Sequence, residues 1–192
     1  MPIFQRFHAS SISSPAAFSQ LYESARLPVF RYIFGLTGGP QAEVEDLVAE
    51  TFIRAWKARH GFEGEAQAAV GWLIRIARRL VIDDYRRAAV RRTHKPPADD
   101  PSPDSLPEQN ALISEQRKRL ITLLADLRDE PREILTMRYM LGWKVGEIAS
   151  HLDLTEDNVS VTIHRTLASL REMWAEGQSD EPSFSEIPEK IP

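Results

Sequence analysis

The sequence predicts an all-α protein of two small helical domains joined by a flexible linker, and three observations carry that prediction. Apolar residues recur at helical spacing along most of the chain, and short Gly- or Pro-bearing stretches separate the runs. One long segment near the middle has almost no apolar anchor. There is little β signal and no internal repeat. With 192 residues, 42% of them hydrophobic and 27% charged, the chain can bury one or two modest cores.

The elements follow in order. Residues 1–15 read as an N-terminal extension. In 16–35, Phe18, Leu21, Tyr22, Val29, Phe30 and Ile33 fall on a helical pattern, with Pro28 as a candidate bend. LTGGPQAE (36–43) is a turn whose Gly38-Gly39-Pro40 stops one helix and starts the next. EDLVAETFIRAW (45–56) opens a helix running to about Ala58. Leu47, Val48, Phe52, Ala55 and Trp56 form its apolar face, while Asp46 and Glu50 lie four apart on another, below Glu43 and Glu45. After the loop HGFEGEAQ (60–67), a further helix extends from about Ala69 to Arg92, completing a three-to-four-helix bundle over 16–93.

The segment HKPPADDPSPDSLPEQN holds five prolines and four acids, so 94–111 reads as an extended linker. Helical periodicity resumes over 112–127, 131–142, 145–152 and 156–174, which make up the second domain, 112–174. The acidic tail, 175–192, is expected to be disordered.

A net charge of −4 conceals a strong asymmetry. From Arg75 to Lys95 eight Lys/Arg face two acids, whereas from Glu172 onward six acids face Lys190 alone. A basic block of that kind suits a polyanion. The absence of cysteine excludes disulfides and thiolate metal sites. No signal peptide and no run long enough to span a membrane is evident, so a cytoplasmic location is the expectation. The five histidines (His8, His60, His94, His151, His164) show no metal-ligand spacing. There is no glycine-rich phosphate loop and no Gly-x-Ser-x-Gly elbow. The reading is therefore not an enzyme, with no cofactor and no metal.

VGEIASHLDLTEDNVSVTIHRTLASL (145–170) has helix-turn-helix spacing. Ile148, Ala149 and Leu152 face inward on the first helix, Leu154 plugs the turn, and Thr155 caps the second. Val159, Ile163, Leu167 and Leu170 continue the buried stripe. Glu156, Asp157, Ser160, Val161, Thr162 and Arg165 are then left to face a major groove. From Arg119 to Arg171, however, seven Lys/Arg balance eight acids, so this half alone should hold DNA weakly.

With both halves in view, EVEDLVAETFIRAW (43–56), GWLIRIARRLVIDDYRR (71–87), the proline-rich gap and the helix-turn-helix resemble, in order and spacing, the extracytoplasmic-function (ECF) sigma factors of the bacterial sigma-70 family. The resemblance implies a region 2-like domain and a region 4-like domain. It also implies binding to the clamp coiled coil of RNA polymerase core through Asp46, Glu50 and Arg54. Leu47, Phe52 and Trp56 would hold that helix in its own domain. Contact with the −10 element would come from Phe62, Arg75, Arg78, Arg79, Arg86 and Arg87, and with the −35 element from Ser160, Val161, Thr162, His164 and Arg165. An anti-sigma factor is the expected regulatory partner.

Some assignments stay open at the level of sequence. Phe62 suits either base stacking or loop anchoring, Trp72 suits the core beside Ile76, and Asp83 and Asp84 suit orienting nearby arginines. Three differences from the family pattern matter. Ala49 stands where Gln is usual and Arg79 where Asn is usual. Ser160, Val161 and Thr162 replace a commoner Lys, Ser and Arg, which weakens the basic grip on −35 DNA. Two rival readings remain: a stand-alone helix-turn-helix regulator, and a helical interaction protein that binds polymerase but reads no promoter.

Overall fold

The computed structural model describes residues 12–64, 66–92, 116 and 119–179, and every regular element among them is helical. Helix α1 (Pro15–Thr37) begins where the Ser14 hydroxyl accepts the Ala17 N–H at 3.2 Å and Pro15 supplies a preset φ. It ends at Gly38, whose φ of 58° lets its N–H donate to Phe34 O. Pro28 is buried within the helix and does not end it. Ile12, assigned from sequence to an extension, is instead 1% exposed in the core.

Helix α2 (Gln41–Ala58) buries Val44, Thr51, Phe52 and Ala55. Phe18 meets Phe52 and Trp56 edge-on, at centroid distances of 6.4 and 5.0 Å, fixing α2 to α1. A short 3₁₀ turn, Arg59–Gly61, leads to the loop before α3 (Ala66–Arg92). Ala69, Leu73, Ile74, Ala77 and Val81 of α3 are buried against α1 and α2.

The second half runs α4 (119–125), α5 (Asp129–Leu135), a single π-helical segment (Thr136–Met140), α6 (Val145–Leu152) and α7 (Glu156–Ser179). Expected as one helix over 131–142, the middle stretch widens at Thr136 and stops at Gly142, where φ is 75°. Asp153, with φ 59°, ends α6, and the Thr155 hydroxyl accepts the Asn158 N–H at 3.2 Å to start α7. The expected disorder from 175 is corrected in part, because α7 continues to Ser179. The expected linker and the rest of the tail lie outside the described residues.

One buried cluster runs through both halves, joining Leu21, Tyr32 and Leu73 to Ile134, Met137, Ile148 and Val159. Gly35 permits the approach: a Cβ there would lie 2.6 Å from Thr136 Cγ2 and 2.8 Å from Met140 Sδ.

Candidate polymerase and nucleic-acid interfaces

Helix α2 directs Asp46 into solvent, and Leu47, Val48 and Trp56 pack half-buried against the core. Glu50 accepts from Arg54 Nε at 2.7 Å within the same helix, and both side chains remain near 40% exposed. Ile53, 47% exposed, lies between Glu50 and Arg54 in sequence and adds apolar surface to this face. Its base is held by Arg59, whose guanidinium lies 3.5 Å from the Trp56 ring centre and which donates to Trp56 O and Ser13 O.

In the loop, Phe62 is half-buried and its ring sits 5.0 Å from that of Trp72. The ring thus has a protein partner in Trp72. Trp72 is half-buried beside the core rather than inside it.

The arginines of α3 share one helix but not one side. Arg75, Arg79 and Arg86 recur at four and seven residues and are exposed, with Arg87 exposed beside them. Gly71, Arg78 and Tyr85 recur at intervals of seven and line another side, which meets the second half of the chain. There Arg78 Nε donates to both carboxylate oxygens of Glu133, at 2.9 and 3.0 Å. The Tyr32 hydroxyl donates to the same carboxylate at 2.5 Å. Burial, and next the Glu133 charge, raise the Tyr32 pKa well above its ordinary value, so it stays a donor. Burial disfavours charge on Arg78, but the neighbouring Glu133 carboxylate prevails and its pKa is raised.

Next to this group, His151 of α6 packs edge-on against Trp143 at 5.0 Å and faces Gly71. Its Nε2 is buried without a hydrogen-bond partner. Burial first, and the positive charges of Arg75 and Arg78 second, lower its pKa to about 4.

In the helix-turn-helix, Ile148 and Val159 are fully buried, Ala149 and Ile163 nearly so, and Leu152, Leu154, Leu167 and Leu170 pack around them. The outward face of α7 carries exposed Glu156, Asp157, Val161, His164 and Arg165, with Ser160 and Thr162 half-buried between them. The Thr162 hydroxyl donates to Asn158 Oδ1 at 3.4 Å.

Tyr32, Tyr85, Arg132 and Glu133 were not singled out from sequence as site residues. The signal for two of them was there: PREILTMRYM (131–140) places adjacent charges, Arg132 and Glu133, directly before Ile134 and Leu135. Charges in an apolar run need partners elsewhere.

Two protein families match. Sigma-70 region 2 covers residues 21–91, and Sigma-70, region 4 covers residues 117–170. The chain is 28% identical over 166 residues to the ECF RNA polymerase sigma factor SigL of Mycobacterium tuberculosis, spanning 86% of this chain and 93% of SigL. It is 28% identical over 160 residues to the ECF RNA polymerase sigma factor SigX of Bacillus subtilis, spanning 80% of this chain and 81% of SigX. Its fold matches the sigma factor RpoE in complex with the anti-sigma factor NepR from Bartonella quintana, with TM-score 0.60 and 20% identity, over 85% of this chain and 98% of that one.

Proposed function

The chain belongs to the sigma-70 family, in its extracytoplasmic-function group, and from that membership we propose how its residues divide the work of starting transcription. As a sigma factor it binds RNA polymerase core and directs promoter-specific initiation; it is not an enzyme, and the bond-making chemistry belongs to the polymerase. Residues 16–93 form the part that holds core polymerase and opens the −10 region, and 112–174 form the part that reads the −35 element. The polymerase contact is Asp46, Glu50 and Arg54 on the clamp coiled coil. The −10 strand meets Arg75, Arg78, Arg79, Arg86 and Arg87, mostly through phosphates, with Phe62 in the loop beside them as the candidate for stacking on a base. The −35 duplex meets Ser160, Val161, Thr162, His164 and Arg165, with hydroxyl and apolar contacts replacing part of the usual basic grip. Such a protein acts in the cytoplasm, and an anti-sigma factor is its regulatory partner. No helix among the described residues is long and apolar enough to cross a membrane.

The observation that carries this division is the reversal of charge between two adjacent helices. Exposed Asp46 lies on α2, and exposed Arg75, Arg79 and Arg86 lie on α3. One suits a basic protein surface and the other a polyanion. Run-off transcription with bacterial core polymerase on the gene's own upstream region tests it, alongside a core pull-down. The wild-type chain should bind core and yield a transcript. Asp46→Arg should weaken core binding by roughly 30-fold or more, the usual scale for reversing a desolvated interfacial charge. A wild-type chain that does not bind core sinks the assignment.

A further inference from the structure

Viewed down its axis, α7 does not present all of the residues assigned to −35 DNA on one side. Successive residues turn by about 100°, and buried Val159, Ile163 and Thr166 define the inward direction. Val161, 45% exposed, points the opposite way. Asn158, Val161, Thr162 and Arg165 follow one another at three, four and seven residues and make one strip along the helix. Asn158, Val161 and Arg165 are exposed there, and Thr162 is half-buried. Ser160 and His164, four apart, fall on the other flank. The strip lies in the N-terminal half of α7, the part of a helix-turn-helix that meets base edges.

Two hydrogen bonds set Asn158. Its backbone N–H donates to the Thr155 hydroxyl at 3.2 Å, and its Oδ1 accepts from the Thr162 hydroxyl at a long 3.4 Å. The cap therefore fixes the backbone, and the residue one turn on orients the amide. With the hydroxyl on one lone pair of Oδ1, the amide still offers the other lone pair and the two Nδ2 donors. An acceptor beside a donor complements the major-groove edge of adenine, where N6–H donates and N7 accepts. Val161 offers only methyl groups, which suit the C5-methyl of thymine. Arg165 is the one cation of the strip. The carboxylate of Glu156 leans away from it over α6, where a Cβ on Gly146 would lie 3.0 Å from Oε1.

We propose that Asn158 determines base specificity in this protein: with Thr162 orienting its amide, it reads one adenine of the −35 duplex, while Val161 packs on the methyl group of a neighbouring thymine. The proposal rests on the assignment of 112–174 to −35 DNA and adds to it a residue and a base. Neither follows from the resemblance to ECF sigma factors, which assigned Ser160, Val161, Thr162, His164 and Arg165. A helix led by arginine and lysine favours guanine, whose O6 and N7 both accept. This strip has an amide and methyl groups in the leading places, so it favours an A·T pair. Specificity is then set by the donor and acceptor pattern of one side chain, although the helix has little charge with which to hold phosphates.

The test reads which base is required, not only how tightly DNA is held. Holoenzyme made from the full chain and bacterial core polymerase transcribes templates in which the −35 region of the gene's own upstream sequence is randomised, and the productive templates are sequenced. The wild type should require adenine at one position, by roughly 5- to 150-fold over other bases, the scale of a bidentate base contact. Asn158→Ala should lose that preference and keep the others. Asn158→Arg should transfer it to guanine at the same position. Thr162→Val should weaken the adenine preference by a few-fold without moving it, the mark of a hydroxyl that acts through the amide. Circular dichroism and a core pull-down check that each variant is folded. Identical preferences in wild type and Asn158→Ala overturn the proposal, and so does an equal loss at every position. A wild type that selects a −35 sequence lacking this adenine overturns it and leaves the −35 assignment standing. Transcription with no −35 preference sinks that assignment together with the proposal, and silence with core polymerase sinks the sigma reading beneath both.

Discussion

Helices α2 and α3 lie side by side with opposite charge, and the folded chain treats them differently. On α2, Asp46 is left to solvent and Glu50 finds its partner one turn away in Arg54. On α3, Arg75, Arg79 and Arg86 are left to solvent, but Arg78 finds its partner 55 residues away in Glu133. An ion pair within one helix costs nothing in reach and leaves the surface available. A pair between distant elements fixes where a whole unit sits. The proposed polymerase face on α2 is thus open, whereas on α3 one arginine of the proposed nucleic-acid face, Arg78, is paired with the second half.

The strongest way to break that contrast is to remove the room that the second half needs. An alanine at Gly35 would put its Cβ within 2.6–2.8 Å of Thr136 and Met140 side-chain atoms. Overpacking of that kind costs about 1–3 kcal/mol. In the opened chain the same change favours α1 by up to about 1 kcal/mol, because alanine is the better helix former. Gly35→Ala should therefore speed hydrogen exchange of the α5 amides by roughly 5- to 100-fold while core-polymerase affinity through α2 holds steady. Adding Thr136→Ala should restore most of the protection. Loss of polymerase binding in step with exchange would mean the two helices are not independently presented.

The helices themselves were legible, since each has a clean apolar period and a chemical stop: Gly38 after α1, Thr155 before α7. So was the helix-turn-helix, where Ile148, Val159 and Ile163 fall at the expected burial. The joining of the two halves was not legible. It depends on Gly35, which looks like any small residue in a helix, and on Tyr32 and Glu133, whose partnership spans 101 positions. Periodicity reports which face is buried and says nothing about which element buries it. The π-helical turn at Thr136 was missed for a related reason, because one extra residue per turn barely disturbs a short apolar pattern. Among candidate site residues, sequence placed Arg75, Arg78 and Arg79 in one class, and only the fold separates Arg78 from the other two.

That separation can be sharpened by salt dependence. Each phosphate contact contributes about 0.9 to the slope of log affinity against log salt on duplex DNA. In the free chain, Arg79→Ala should lower promoter-DNA affinity by a few-fold and flatten the slope by about 0.9. Arg78→Ala should flatten it by less than Arg79→Ala there, because Glu133 already neutralises Arg78 through Nε. In the polymerase holoenzyme the two substitutions should flatten it equally. Equal slopes for the two variants in the free chain would show that Arg78 already reaches DNA.

The smallest effect expected is a pH dependence, and it comes from His151. Its pKa is lowered to about 4 in the closed chain because burial leaves Nε2 without a partner and Arg75 and Arg78 oppose a second positive charge. Once the halves part, the ring returns to water and to an ordinary pKa of about 6.5. The open form then binds a proton that the closed form excludes, so closure is fully present above about pH 6.5 and weakens as pH falls toward 4. At about pH 5.5 the closed population should fall by at most about tenfold, and by only a few-fold to the extent that water screens the half-buried ring. Hydrogen exchange of the α5 amides at about pH 7.5 and 5.5, corrected for intrinsic rates, reads this directly. His151→Phe keeps the edge contact with Trp143 and removes the proton, so its pH slope should be flat between those values. A slope equal to wild type would assign the acid sensitivity to carboxylates elsewhere and leave α6 as passive packing over Gly71.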